Sequence, residues 1–304
     1  MDRFTEIELF VQTAELGRLS KAAEKLDISN AAASRHLAAL EDRLKVRLIE
    51  RNTRRLALTN AGHEFYGRCK SLLAELGEAE ASVNAALVEP TGTLTITATV
   101  SFSLLHLAPL VPEFQRLYPR IKIKILGANR YYDIMDSEID LAIRTREFEA
   151  DSNITIRRLA QTRRVLAASP SYLATHGAPK TVTDLHDHDL LIYSHANHPH
   201  LMEFSKGEEK VTVKVQPSME SNDGQIVRAA ALAGAGILVQ PKYIIYDDLV
   251  AGRLLPVLDD WDLPRLTINL AFQERRYMPA KTRLFIDFLL EHFKLKEYER
   301  YWTR

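Results

Sequence analysis

A chain of 304 residues, 46% of them hydrophobic, is long enough for two or three domains with buried cores. Forty basic residues balance forty acidic ones, which excludes a global field announcing a polyanionic partner but leaves room for a local basic patch. Cys69 is the single cysteine, so an intrachain disulfide is excluded. No run approaches the roughly 20 apolar residues of a membrane span, and MDRFTEIELFVQTAE lacks a signal-like apolar core, so a soluble, cytoplasmic chain without membrane contact is expected.

Residues 4–16 place Phe4, Ile7, Phe10, Val11 and Ala14 at helical spacing, and Gly17 ends that helix. LSKAAEKL follows as a short helix to Leu26, with Ser20 as its expected cap. Asp27-Ile28-Ser29 then makes a tight turn, and Ser29 caps a third helix from Asn30 to about Leu44. Three short helices with this turn before the third form a helix-turn-helix pattern. In VRLIERNTRRLALT, strand-like runs flank Asn52-Thr53-Arg54-Arg55, a hairpin that would make a wing.

From Asn60 to about Leu87 the chain reads as one helix of roughly 40 Å, capped by Thr59. Phe65, Cys69, Leu72, Leu76, Ala79, Val83 and Ala86 recur at alternating steps of four and three, a heptad seam that favours pairing with a second helix. The alternative is an amphipathic helix lying on its own domain. Glu89-Pro90-Thr91-Gly92 breaks the pattern. Beyond it, strands (TLTITATV, IKIKILG, IDLAIR, RRVLAAS, LLIYS, VTVKVQPSM, GILVQP, LTINLAF) alternate with helices (LLHLAPLVPEFQRLYP, around SYLATHG, QIVRAAALAGA, KTRLFIDFLLEHF), predicting α/β layers with largely parallel strands.

On the third helix, Ala33, Leu37, Leu40 and Leu44 share one face, expected to pack on Ala22, Ala23 and Leu26. Asn30, Ala31, Ser34 and Arg35 are left facing outward. Small residues permit close approach to a major groove, and polar ones reach base edges and phosphates. Between residues 35 and 55, Arg35, Arg43, Lys45, Arg47, Arg51, Arg54 and Arg55 outnumber Glu41, Asp42 and Glu50, the local basic footprint that the neutral total conceals.

The block FVQTAELGRLSKAAEKLDISNAAASRHLAALEDRLKVRLIERNTRRLALTNAG resembles the N-terminal domain of LysR-type transcriptional regulators nearly end to end. IDLAIR, RRVLAASPSYLATHG, AALAGAGILVQP and GRLLPVL resemble that family's effector-binding region. The resemblance implies an α/β protein with an N-terminal winged helix-turn-helix (1–59), a long linker helix that dimerises (60–90) and a two-lobed periplasmic-binding-protein-like effector domain (91–304). Its lobe I would span about 91–163 and 267–304, and lobe II about 164–266. Carried over by position, Asn30, Ala31, Ser34 and Arg35 match groove-reading positions, and Arg54 or Arg55 matches the wing; Ser29, Arg51 and both wing arginines are counted among the expected DNA contacts. The implied partners are double-stranded DNA, a small-molecule effector (a small organic anion), a second or further copies in a homodimer or homotetramer, and RNA polymerase. No cofactor or metal is implied. Four positions depart from the family pattern: Asn30-Ala31 where Gln-Pro is common, Ile49 for Phe, and Lys45 where Gly is usual, at a cost of about 1 kcal/mol if φ is positive there.

In a two-lobed α/β fold, ligands sit at the carboxyl ends of strands and at helix N-termini. The expected effector contacts are Thr99, Ser101, Phe102, Asn129, Arg130, Tyr131 and Arg144 from one lobe, and Ser194, His195, Ser221, Asn222 and Asp223 from the other. HDHD (186–189) and HANHPH (195–200) read as solvated loops rather than metal sites, since Pro199 and the lack of a helical His pair argue against convergence. An α/β enzyme or solute-binding protein with an N-terminal dimerisation module would explain the C-terminal two-thirds equally well. It leaves the basic block without a purpose, and no GxSxG motif supports hydrolase chemistry.

Overall fold

The computed structural model describes residues 3–52, 55–83, 90–129, 139–147, 154–273 and 278–304, with side chains described except at 51–56, 74–75 and 77–83. The chain forms two compact units, Met1–Val88 and Glu89–Arg304.

In the first unit, α1 (Arg3–Leu16), α2 (Leu19–Lys25) and α3 (Asn30–Leu44) precede an antiparallel pair, β1 (Ile49–Asn52) and β2 (Arg55–Leu58), and α4 (Asn60–Val83). The Ser29 hydroxyl accepts from Ala32 N, and the Thr59 hydroxyl accepts from Gly62 N, so both predicted caps form. Ser20 does not cap α2: Arg18 occupies that position without a side-chain bond, and helix begins one residue before the serine. Lys45 closes α3 in the left-handed region (φ 56°), the strained conformation expected of it.

Only Ala33 of the third helix packs with Ala22, Ala23 and Leu9. Leu37 and Leu40 instead join Phe10, Val11, Leu48, Ile49 and Cys69 in a second cluster, with Phe65 and Leu44 against it. This corrects two positions of the heptad seam. Phe65 and Cys69 face their own unit, because three short helices and a two-strand wing leave an open apolar side that the first turns of α4 close. Leu72 is exposed and Leu76 half-buried. Ala79 and Val83 lie on the helix with side chains outside the described set, and Ala86 lies outside the described residues. Burial also raises the Cys69 pKa above the usual thiol value, keeping it protonated and unreactive.

The second unit carries two five-stranded sheets. β3 (Gly92–Ala98), β4 (Ile121–Gly127), β5 (Leu141–Arg146), β6 (Ile154–Thr162) and a late strand, β14 (Leu266–Gln273), form one sheet in the order β4-β3-β5-β14-β6. After β3 the chain passes through α5 (Val100–Phe102), a π-turn (Ser103–Leu107) and a 3₁₀ turn (Ala108–Leu110) into α6 (Val111–Leu117). The other sheet has the order β11-β8-β12-β7-β13, from β7 (Arg164–Ala168), β8 (Leu190–Tyr193), β11 (Met219–Ser221), β12 (Ile237–Pro241) and β13 (Leu255–Val257). It is accompanied by α7 (Pro170–His176), α8 (Gly224–Leu232), α9 (Lys242–Val250) and a hairpin of β9 (Leu201–Lys206) with β10 (Glu209–Lys214). α10 (Ala280–Leu295) and α11 (Tyr298–Thr303) return to the first sheet and complete its core.

Each sheet has four parallel strands and one that opposes them, β14 or β7. The opposing strand is in each case the first one after the chain crosses from the other sheet. It arrives directly, without a helical return to reverse it. β6, β9, α9, β13 and α11 are elements that sequence patterning missed, and VTVKVQPSM, read as one strand, holds most of β10 and the start of β11. Among the described residues, no helix is long and apolar enough to cross a membrane.

His106 is enclosed by the rings of Phe102, Tyr243, Phe293, Tyr298 and Trp302, the last at 4.9 Å between centroids, with Nε2–H donating to Tyr243 O at 3.2 Å. Burial pushes its pKa down to about 4, partly offset by that bond and by Asp247. The unfolded chain therefore takes up this proton more readily. The stabilisation is complete above the ordinary pKa of about 6.5 and is lost as pH falls toward 4, by about 2 kcal/mol at pH 5. Urea unfolding of the second unit's core at pH 7 and pH 5 should show that slope, and His106→Gln should flatten it. Equal slopes in both proteins would remove His106 as its source.

Candidate functional site

The outward face of α3 comes first. Ser29, Asn30, Ala31, Ser34 and Arg35 are all exposed, while Ala33, Leu37 and Leu40 on the opposite face are buried. The expected grouping is therefore present on one surface. Two of the counted charges are used elsewhere. Arg43 pairs with buried Glu6 at 2.8 Å, and Glu41 accepts from Leu48 N and Ile49 N at 2.8 and 3.1 Å, pinning the start of the wing to the third helix. The pinned wing places Arg51 on β1 and Arg55 on β2, pairing with Leu56 and Asn52 in the register. The side chains of both lie outside the described set, as does Arg54 altogether.

The second constellation is a cavity of about 140 Å³ in the other unit, where the two sheets present the same kind of edge. Thr99 follows β3, Asn129 follows β4, Thr145, Arg146 and Glu147 end β5, Tyr193 and His195 follow β8, and Gln240 ends β12. These are carboxyl ends of parallel strands. The two opposing strands contribute their amino ends there, with Arg164 and Leu266.

Hydrogen bonds cross between the lobes at this edge. Asn129 Oδ1 accepts from Val100 N at 3.2 Å, and its Nδ2 donates to Asp223 Oδ2 at 2.9 Å. His195 Nδ1–H donates to Asn129 O at 3.0 Å. Asn197 donates to Glu147 at 3.4 Å, Glu147 pairs with Arg164 at 2.8 Å, and Arg164 Nε donates to Pro264 O at 3.1 Å. Burial lowers the Arg164 pKa from the usual arginine value, with Glu147 opposing the shift. A Cβ on Gly224 would stand 3.0 Å from Ser101 Oγ and 3.3 Å from Gln240 Oε1, so α8 begins close against both.

Of the expected contacts, Thr99, Ser101, Asn129 and His195 line the cavity. Six do not. Phe102 is buried in the aromatic cluster, its ring 5.7 Å from Tyr243. Arg144 sits within the sheet opposite Asn269, because β5 runs two residues past IDLAIR. Ser194 N bonds Ser221 O, the Ser221 hydroxyl accepts from Asp223 N, Asn222 is exposed, and Asp223 caps α8 through Gln225 N. Ser194, Ser221 and Asp223 hold the strand-to-helix connections instead of lining the cavity. Arg130 and Tyr131 lie outside the described residues. The segment His195–Pro199 is an irregular loop with His195, Asn197 and His198 exposed, as its reading as a solvated loop expects, and it also forms part of the cavity wall. His200 is paired with Glu220.

Residues 4–63 match the bacterial regulatory helix-turn-helix protein, lysR family, and residues 88–294 match the LysR substrate binding domain. The chain belongs to the LysR family of transcriptional regulators. This LysR-type regulator is 31% identical to the HTH-type transcriptional regulator CrgA of Neisseria meningitidis, over 94% of this chain and 95% of that one. The solved structure of CrgA matches with a TM-score of 0.63 at 30% identity, covering 94% and 97% of the two chains. The full-length Vibrio cholerae virulence activator AphB matches with a TM-score of 0.61 at 28% identity, covering 94% and 98%. The protein is therefore a DNA-binding transcriptional regulator with an effector-binding domain. The enzyme alternative is set aside, since its relatives are regulators.

Several cavity residues of this LysR-type regulator were invisible to sequence patterning. Arg146 and Glu147 required the true end of β5. Arg164 and Leu266 required knowing that two strands run backwards, which only the crossovers between the lobes reveal. Gln240 was within reach, as the polar residue closing the apolar run GILVQP.

Proposed function

We propose that α3 enters the major groove with Asn30, Ala31, Ser34 and Arg35 toward base edges and phosphates, with Ser29 and the wing arginines Arg51, Arg54 and Arg55 on the backbone. A small organic anion is the effector, bound in the cavity between the lobes, and the regulator works in the cytoplasm as a homodimer or homotetramer. The α4 positions Leu72, Leu76, Ala79, Val83 and Ala86 supply the pairing seam, and RNA polymerase is the further partner at the promoter. The observation that carries the DNA reading is the exposed face of small and polar residues, Asn30, Ala31, Ser34 and Arg35 with Ser29 at the cap, on a helix that buries Ala33, Leu37 and Leu40. For the effector, support comes from strand carboxyl ends of both lobes converging on one cavity with two arginines on its lining. The unit Glu89–Arg304 contains no cysteine, so a thiol switch within it is excluded.

Arg35→Ala should weaken operator binding by about 1–3 kcal/mol and relax preference at one base position. The measurement is a titration against operators obtained by selection from random DNA, for which an inverted repeat about one helical turn between half-site centres is expected. Wild-type affinity should also fall steeply with salt. Normal binding by Arg35→Ala would remove this helix face from the reading.

A further inference from the structure

We infer that Arg163 and the last helix, α11, lock the hinge between the two lobes at one relative angle, and that release of this lock lets the lobes swing. The lock lies behind the cavity and acts whatever the cavity takes up.

The chain crosses between the sheets twice, at Arg163 between β6 and β7 and over residues 258–265 between β13 and β14. Such crossovers are where a two-lobed domain can bend. Arg163, 7% exposed, ties them together. Its Nη2 donates to Asp259 O at 2.9 Å and to Trp261 O at 3.4 Å. Its Nη1 stands 3.1 Å from the Asp259 carboxylate, and its Nε 3.3 Å from that of Asp262. A planar guanidinium fork thus holds the opposite crossover along its length. The neighbouring Arg164 grips the same crossover at Pro264 O from the cavity side.

The backbone at Arg163 is held as well. Its N–H donates to Trp302 O of α11 at 3.0 Å, and its carbonyl accepts from Lys242 N at the start of α9 at 2.9 Å. α11 is fastened to both lobes. Glu299 pairs with Arg158 and accepts from Gln161 N at 3.1 Å on β6. Lys242 Nζ donates to Arg304 O, and the Tyr301 ring lies 5.8 Å from that of Tyr246 on α9.

Strain marks the same place. Among the described residues of Glu89–Arg304, the non-glycine residues with positive φ are Leu258 and Glu297, both at 50°. Leu258 opens the second crossover, and Glu297 joins α10 to α11. A left-handed leucine persists only where its surroundings fix it. Here its side chain is buried in the core of the second sheet, its carbonyl accepts from Trp261 N at 3.0 Å, and Arg163 grips the residues that follow.

The test reads the lobe angle in the full chain. Spin labels are placed at Gln115→Cys on α6 and Ala174→Cys on α7, exposed positions of the two lobes. Dilution with unlabelled chain lets double electron–electron resonance report distances within one copy, and buried Cys69 stays unlabelled. A single narrow distribution is expected in the parent chain. Arg163→Met should broaden it about twofold or add a second distance. That variant should still fold, since the Asp259 and Asp262 side chains are 50% and 42% exposed and water takes over their charges. Hydrogen exchange should show lost protection at Lys242 N while amides of β3 and β12 keep theirs. A merely structural arginine would lower all of them together and leave the width unchanged. Lys242→Ala with Glu299→Ala frees α11 from both lobes without touching the Arg163 side chain. It should broaden the distribution too, and it decides the matter if Arg163→Met fails to fold. Broadening by Arg163→Met alone would keep the arginine and overturn the part given to α11. An unchanged width in every folded variant would overturn the lock.

Discussion

Gly62→Ala is expected to unseat the wing from the helical body of the DNA-binding unit. A Cβ at position 62 would stand 2.1 Å from Leu48 O, 3.0 Å from the Leu48 carbonyl carbon and 3.3 Å from the Leu58 Cβ. The obstacle is backbone, and it is fixed twice over. Leu48 O accepts from Thr59 N at 3.0 Å, and Leu48 N is held by Glu41 at 2.8 Å. Leu48 itself is 1% exposed, so it has no room to retreat. Overpacking of a core usually costs about 1–3 kcal/mol, and a backbone clash belongs at or above the top of that range. Helix propensity works the other way, favouring alanine over glycine by about 1 kcal/mol in a helix interior. The clash should win.

Hydrogen exchange checks this directly. The amides of Thr59 and Gly62, both bonded at the wing–helix junction, should lose protection in Gly62→Ala, while amides of Glu89–Arg304 should not. Operator affinity should fall, because the wing and α3 are positioned through the same Leu48–Glu41 contact. A variant as stable as wild type would mean that the helix and the wing are separated by more than the close approach described here.

The N-terminal unit was readable from sequence to within a residue or two because its determinants are local. Ser29 and Thr59 cap helices three residues away, and Lys45 takes the strained conformation at the end of a helix. Such signals need no knowledge of the rest of the chain. The error at Ser20 is of the same local kind, a one-residue shift of a helix start. The cavity was readable only in part for the opposite reason. Thr99, Asn129 and His195 follow strands whose ends are marked by the pattern, and they line it. Arg144 was placed there by stopping β5 two residues early, which turned a residue inside the sheet into a false ligand contact and hid Arg146 and Glu147. Arg164 lies at the start of a strand, where strand-end reasoning does not look. Its presence follows from a crossover between sheets, a non-local feature. The heptad seam shows a third limit: Phe65 and Cys69 satisfy the spacing, but spacing alone does not say which partner a stripe faces.

Two arginines on α3 should separate by effect, one through stability and one through binding. Arg43→Ala is expected to destabilise the N-terminal unit by about 3 kcal/mol, since Glu6 is 5% exposed and would lose its guanidinium partner at 2.8 Å. The value belongs at the low end of the range for buried pairs, because the Arg43 side chain is 34% exposed and water can reach its end of the pair. Glu6→Gln combined with Arg43→Met should recover most of the loss, as both charges then leave together. Arg35→Ala touches no such partner in an exposed position and should change unfolding by no more than about 0.5 kcal/mol, while operator affinity falls. Melting curves and operator titrations on the same three proteins distinguish the two arginines. At a temperature where every variant is folded, Arg43→Ala should bind DNA close to normally and Arg35→Ala should not. Equal binding defects in that regime would mean that Arg43 reaches DNA, and that the pairing with Glu6 is not what its position on α3 serves.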